Sequence, residues 1–197
     1  RQNLEIASAS PELFLERSGK KIKSTPIKGT ATSDSFGEKD KAENVMIVDL
    51  MRNDFGSICE SGSVDVPRLL ATQEHPGLFH LVSDVVGNLR SDIKWEDISD
   101  HLLPAGSISG APKSSALKTI AQIEQAARGP YCGVIGWVDG DKALLSVGIR
   151  IFWSENDGKI RFGTGAGITW QSDPNQEWEE TQLKAKRLTA IASGALV

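Results

Sequence analysis

The 197-residue chain reads as an α+β protein, and two observations carry that reading. Short β-hairpin patterns and long amphipathic helical patterns alternate irregularly along it. No regular βαβ repeat appears, which disfavours a doubly wound parallel fold. The composition fits a folded globular domain, with 39% hydrophobic and 24% charged residues.

The first third reads as hairpins. Strands are expected over 1–8, 13–16 and 21–25, with Ser10-Pro11 and Ser18-Gly19 as turns. Residues 31–41 are rich in Ser, Thr, Asp and Lys and read as a mobile loop, with Phe36 its only large apolar anchor. A helix is expected over 38–54, running towards a strand, because Val45, Met46, Ile47, Val48 and Leu50 give a wide apolar face. A short strand follows over 63–66, ended by Pro67, and a longer one over 78–89. Helices are expected over 95–103, stopped by Pro104, and over 114–128, where Leu117, Ile120 and Ile123 recur at helical spacing. Strands over 133–137, 143–153 and 159–163 are joined by turns at Asp139-Gly140 and Asp157-Gly158. A last helix covers 175–192.

Net charge is 22 − 26 = −4, which disfavours a general nucleic-acid binder. No apolar run approaches the roughly 18 residues of a membrane span. Two cysteines, Cys59 and Cys132, are too few for a disulfide framework and suit a reducing, cytoplasmic setting. With no initiating Met and no basic–apolar–small pattern at its start, the chain reads as opening within a longer protein.

Two acidic pairs stand out. Asp40 and Glu43 lie three apart at one expected helix start, and Glu177 and Glu180 lie three apart at another. That spacing puts each pair on one helix face. Four carboxylates from two helices suit a hard divalent cation such as Mg²⁺. They equally suit the ordinary preference for acids at helix N-terminal turns, and spacing alone leaves the choice open. Lys184, four residues after Glu180, is either an i,i+4 partner or a cation beside a metal. Gly163-Thr164-Gly165-Ala166-Gly167 and the run from Pro104 to Lys113 have the small residues of an anion-binding backbone. Lys28 suits an amine nucleophile if it is partly buried, and a solvated surface lysine otherwise. Glu12 is a turn acid and His80 a strand histidine, while His75 and His101 have no chemical company in sequence. No His–Cys spacing suggests zinc, and no Gly-x-Ser-x-Gly suggests a hydrolase elbow.

Taken together, these motifs resemble one family. The run from Ala42 to Asp54, the run from Gly106 to Lys113, and Gly165-Ala166-Gly167-Ile168 with Glu177-Trp178-Glu179-Glu180-Thr181 are similar to the chorismate-utilising enzymes. The resemblance covers about residues 8–188. It implies a chorismate-binding fold of antiparallel sheets with peripheral helices, residues 1–197 forming about the carboxyl-terminal half as one catalytic domain. Pro26-Ile27-Lys28-Gly29-Thr30 and Asn44 resemble the aminodeoxychorismate synthase type, since anthranilate synthases typically carry Ala at the position of Lys28.

The resemblance implies that Lys28 adds to C2 of chorismate, that Glu12 protonates the departing C4 hydroxyl, and that ammonia then adds at C4. The product would be 4-amino-4-deoxychorismate, on the way to p-aminobenzoate and folate. Glu43 and Glu180 match direct Mg²⁺ ligands, and Asp40 and Glu177 match residues holding the metal's waters. Tyr131, Arg150, Lys184 and Gly165-Ala166-Gly167 match positions around the enolpyruvyl carboxylate. Ser107 and His80 match groups near the ring and its C4 hydroxyl. A glutamine amidotransferase, as a subunit or fused domain, would supply ammonia. The competing readings are an anthranilate synthase component and a silent fragment that only binds chorismate or a partner. Two departures stand out: relatives usually have Arg where Leu13 stands, and another Arg where this chain has Ala31-Thr32-Ser33.

Overall fold

The computed structural model describes residues 4–31, 33–75 and 78–194. Residues 1–3 of the expected first strand, and Thr32 of the expected loop, lie outside them. The fold is α+β with antiparallel sheets, as the patterns predict, and it divides into two compact units.

The larger unit spans Glu12–Ala127 and Gly133–Val147. Its strands are β2 (Leu13–Ser18), β3 (Lys21–Thr25), β4 (Ile27–Ala31), β5 (Asp65–His75), β6 (Leu78–Asn88), β7 (Val134–Asp139) and β8 (Lys142–Val147). They form one seven-stranded sheet in the order β4-β6-β3-β2-β8-β7, with β5 paired to the other side of β6. Helix α1 (Glu38–Ile58) covers one face, burying Ile47, Val48, Phe55 and Ile58. Asn44, fully buried, fixes α1 on β6: its Nδ2 donates to the Leu81 carbonyl at 3.2 Å and its Oδ1 accepts from Ser83 Oγ at 2.5 Å. A buried amide needs such partners, which gives Asn44 a structural purpose whatever chemistry follows. Helices α2 (Trp95–Leu102), α3 (Gly106–Ser109) and α4 (Lys113–Ile123) complete the unit.

The smaller unit contains described residues 4–11, 128–132 and 148–194. A three-stranded sheet, β1 (Glu5–Ser8), β9 (Ile151–Ser154) and β10 (Arg161–Phe162), runs in the order β1-β9-β10. Helix α5 (Pro174–Ala192) starts at an Asp173 cap, whose carboxylate accepts from Asn175 and Gln176 N–H at 3.0 Å each, with Pro174 in its first turn.

Several boundaries differ from expectation. Helix α1 continues to Ile58 and runs into no strand, because Phe55 and Ile58 extend its buried face. The expected loop shortens at both ends, since Ala31 belongs to β4 and α1 begins at Glu38. Pro67 does not end a strand: β5 runs through it. There β5 is an edge strand, and its register shifts on both sides of Arg68, so the missing N–H breaks no inner ladder. The expected strand over 143–153 is two strands in two sheets, separated by Gly148, Ile149 and Arg150, the last at φ 54°. Helix α4 ends five residues early. None of its residues is buried, and Ile123 is 71% exposed, so no packing extends it.

Gly136 in β7 marks the tightest backbone approach in the larger sheet. A Cβ there would lie 2.0 Å from the Leu144 carbonyl oxygen of the paired strand. Gly136→Ala should therefore destabilise the fold by about 2–3 kcal/mol, read as a Tm lower by roughly 5–10 °C. An unchanged Tm would contradict this packing.

Candidate active site

The larger unit gathers three of the expected residues. Glu12 sits just before β2, where Val147 N–H donates to its backbone carbonyl at 3.0 Å. Its side chain is buried and lines a cavity of about 20 Å³ with Ser107 and Gly106 of α3, Ala105, and Met51, Asp54 and Phe55 of α1. Burial raises the Glu12 pKa above the ordinary carboxylate range, while the Ser107 hydroxyl and the Lys28 charge beside it pull the other way. Lys28 lies half-buried in β4, at the register shift between Ile27 and Thr30. The next residue, Gly29, has φ 90°, and a Cβ there would come within 3.0 Å of Phe36 and 3.1 Å of Asp40. The loop anchor and the first turn of α1 thus close down directly beside the lysine.

His80 lies on β6 opposite Thr30 of β4 and Gln73 of β5. Its ring meets that of His75, centroids 4.9 Å apart and tilted by 55°. His75 therefore has company that its place in the sequence did not reveal. The hairpin register, with His75 opposite Leu78, creates it. His101 is placed structurally, its Nδ1 at 2.8 Å from the Asp97 carbonyl.

The acidic pairs start two helices, as their spacing predicts. Asp40 caps its own helix, accepting from Gly37 N–H at 3.1 Å. Glu43 faces Lys39 at 3.9 Å. In the smaller unit Glu177 is buried and accepts from Ser172 Oγ at 2.7 Å, while Glu180 pairs with Lys184 at 2.5 Å. Among the described residues no three His, Cys, Asp or Glu side chains already form a cage for a metal ion. The donor chemistry nevertheless fits Mg²⁺: each unit offers two carboxylates one helix turn apart, and Mg²⁺ characteristically keeps several waters.

The smaller unit also builds a cradle from small residues. Tyr131 packs so closely on Gly163 that a Cβ there would lie 2.3 Å from its Cγ, and its hydroxyl lies 3.0 Å from the equivalent point on Gly165. Lys184 Nζ donates to the Gly165 carbonyl at 3.3 Å. Ala166 is half-buried and Gly167 exposed, so backbone is accessible beside a phenol and an ammonium. Arg150, at φ 54°, stands at the turn into β9, its carbonyl accepting from Ala9 N–H at 3.1 Å. Larger side chains at Gly163 would fill this space, which explains the Gly-rich turn.

The family model for the chorismate binding enzymes matches residues 1–190. The chain belongs to this family. It is 37% identical over 194 residues to anthranilate synthase component 1 of Archaeoglobus fulgidus, covering 93% of this chain and 47% of the relative. It is 36% identical over 197 residues to aminodeoxychorismate synthase component 1 of Escherichia coli, covering 93% and 43%. Among solved structures, anthranilate synthase component I from Streptococcus pneumoniae superposes with a TM-score of 0.84 at 33% identity, covering 95% of this chain and 44% of that one. The menaquinone-specific isochorismate synthase from Escherichia coli shares the fold, with a TM-score of 0.83 at 22% identity. The chain spans about half the length of the first curated relatives it matches. Relatives named for two different reactions match it equally well.

Sequence reasoning missed Asp54 and Lys113, which form a 2.7 Å ion pair at the cavity beneath Glu12. Both lie inside the quoted motifs, yet nothing in their spacing, 59 residues apart, announces the pairing.

The raised Glu12 pKa has a measurable consequence for stability. The folded state holds this proton more tightly than the unfolded state does. Stability is therefore fully present below the ordinary value of 4.5 and is lost as pH rises through the folded value. Glu12→Gln should match the native Tm at low pH and exceed it above that window. A variant whose Tm difference does not change with pH would contradict the buried acid.

Proposed function

We propose that the chain is the chorismate-converting part of an enzyme that makes 4-amino-4-deoxychorismate from chorismate and ammonia. The observation that carries this reading is the grouping of Lys28 with the buried, proton-retaining Glu12 and the Ser107 hydroxyl. An amine beside a carboxylic acid can form one bond while the acid protonates the group leaving through the other. The Lys28 Nζ adds at C2, both conjugated ring double bonds shift by one position towards C4, and the C4 hydroxyl leaves as water with the Glu12 proton. Ammonia then adds at C4 and the reverse shift expels Lys28. Ser107 and His80 flank the ring. Arg150, Tyr131, Lys184 and the backbone of Gly165-Ala166-Gly167 hold the enolpyruvyl carboxylate, Arg150 through its two-pronged donor geometry.

Mg²⁺, held by Glu43 and Glu180 with Asp40 and Glu177 on its waters, would neutralise the ring carboxylate. Ammonia would come from a glutamine amidotransferase, separate or fused. Cys59 does not suit glutamine hydrolysis, because burial pushes its thiol up to about 11. The product would feed p-aminobenzoate and folate synthesis in the cytoplasm.

The close match to anthranilate synthase relatives supports a second reading, in which ammonia adds at C2 and pyruvate is lost. Incubating the chain with chorismate, an ammonium salt and Mg²⁺ separates the two. A non-aromatic amine that keeps its enolpyruvyl group supports the proposal. Fluorescent anthranilate with stoichiometric pyruvate supports the second reading, and no turnover under any condition leaves only a binding fragment.

A further inference from the structure

We propose that the ion pair between Lys113 and Asp54 is a positioning device, fastening the segment that carries Ser107 over Glu12. This rests on the reading of Glu12 as the acid of the reaction. Lys113 is the first residue of α4. Its ammonium donates to Asp54 Oδ2 at 2.7 Å, to the His101 carbonyl at 3.2 Å and to the Leu102 carbonyl at 3.5 Å. Those carbonyls close the end of α2, where a helix's final carbonyls have no N–H of the helix to accept from. One cation therefore joins the C-terminal part of α1, the end of α2 and the start of α4. Residues 103–112 form a loop closed at its base by this contact.

That loop carries α3, and α3 lies against α1 at the closest approach its residues allow. A Cβ at Gly106 would stand 2.5 Å from Leu50 Cδ2 and 2.9 Å from its Cγ. Ala105, Gly106 and Ser109 are buried there, and Ser109 Oγ donates to the Ala105 carbonyl at 3.2 Å. Asp54 itself lines the cavity shared by Glu12 and Ser107. The clamp and the cavity are thus two sides of one wall. The Lys113 and Asp54 side chains are only 18% and 13% exposed. A pair this enclosed contributes little net stability compared with an apolar substitute, while its several directed bonds specify one register of the segment. A shift of an ångström in Ser107 would loosen the enclosure that keeps the Glu12 proton in place.

The test uses the full chain with Lys113→Met, which keeps the length of the side chain and removes the charge, and with Lys113→Arg, which keeps the charge. Three readouts are compared: amide hydrogen exchange over residues 105–110, the titration midpoint of the Glu12 carboxyl by ¹³C NMR, and chorismate turnover. In Lys113→Met, exchange over that segment should accelerate roughly tenfold or more. The Glu12 midpoint should fall towards the ordinary carboxylate range, because lost burial, the largest cause of its raised pKa, outweighs the lost Ser107 hydrogen bond that had been lowering it. The kcat should drop roughly ten- to a hundredfold with KM little changed. Lys113→Arg should restore most of each. Combining Lys113→Met with Asp54→Asn should be no worse than either alone, since both break one contact. If Lys113→Met does not fold, Asp54→Asn alone carries the same readouts. Native exchange and a native Glu12 midpoint in Lys113→Met, or in Asp54→Asn where it stands in, would overturn the proposal. If the native chain shows no chorismate turnover, the functional reading fails, and exchange and titration still decide whether the clamp exists.

Discussion

Lys28→Ala is expected to lower formation of 4-amino-4-deoxychorismate by on the order of a thousandfold. The variant removes the amine whose charge acts on the Glu12 carboxyl. It leaves the acid, the Ser107 segment and both acidic helix starts intact. Lys28 is half-buried and the fold around it is held by other contacts, namely Gly29 against Phe36 and Asp40 and the Thr30–His80 pairing. The loss should therefore appear in kcat, with a Tm close to native. A slow residual reaction is expected, because substrate positioning survives and ammonia can still add directly. Lys28→Arg should not rescue turnover, since a guanidinium stays charged and does not serve as a nucleophile. Steady-state assays of both variants check this. Native rates in Lys28→Ala would remove the covalent step from the account.

Glu43→Gln and Glu180→Gln should each abolish turnover that depends on Mg²⁺. Each replaces a hard anionic oxygen donor with a neutral amide of nearly the same volume, so a lost metal site is separable from a lost fold. Their present partners are lysines one helix turn away, Lys39 for Glu43 and Lys184 for Glu180. These i,i+4 pairs contribute only about 0.3–0.5 kcal/mol each and can give way to a divalent ion. Asp40 and Glu177 differ: each is tied locally, to Gly37 N–H and Ser172 Oγ, which suits an outer role better than direct ligation. Asp40→Asn and Glu177→Gln should therefore weaken Mg²⁺ activation without removing it. Titration calorimetry with Mg²⁺, alongside activity at increasing Mg²⁺, measures both effects. Native Mg²⁺ affinity in both glutamate variants would refute the assignment.

How much of this was legible in the chain depends on the range of the interaction. The helix at Glu38 was legible because its apolar face and its acidic pair are local features. The hairpin of β2 and β3 was legible from Ser18-Gly19 for the same reason, whereas the one expected at Ser10-Pro11 does not form, because β1 pairs with β9 in the smaller sheet while β2 pairs with β3 and β8. The strand through Pro67 was not, because only its pairing partner reveals that β5 is an edge. The apolar run around Val147 and Ile151 looked continuous, since alternation carries no mark of a change of sheet beyond Gly148. The site divides in the same way. Lys28, Glu12 and Ser107 stood out through motifs, but their grouping depends on strand pairing and on α3 closing over the cavity. The contacts of His75 with His80 and of Asp54 with Lys113 arise only from folding.

The claim that Lys28 attacks chorismate is tested most directly by intact-mass measurement. The native chain is incubated with chorismate and Mg²⁺ but without ammonia, then compared with Lys28→Ala treated identically. The account predicts a species heavier by one chorismate less one water in the native chain, located at Lys28 by peptide mapping, absent from Lys28→Ala and dispersed when ammonium is added. A native chain that turns over chorismate with ammonia yet never carries that mass, or a Lys28→Ala chain that carries it equally, would contradict the account.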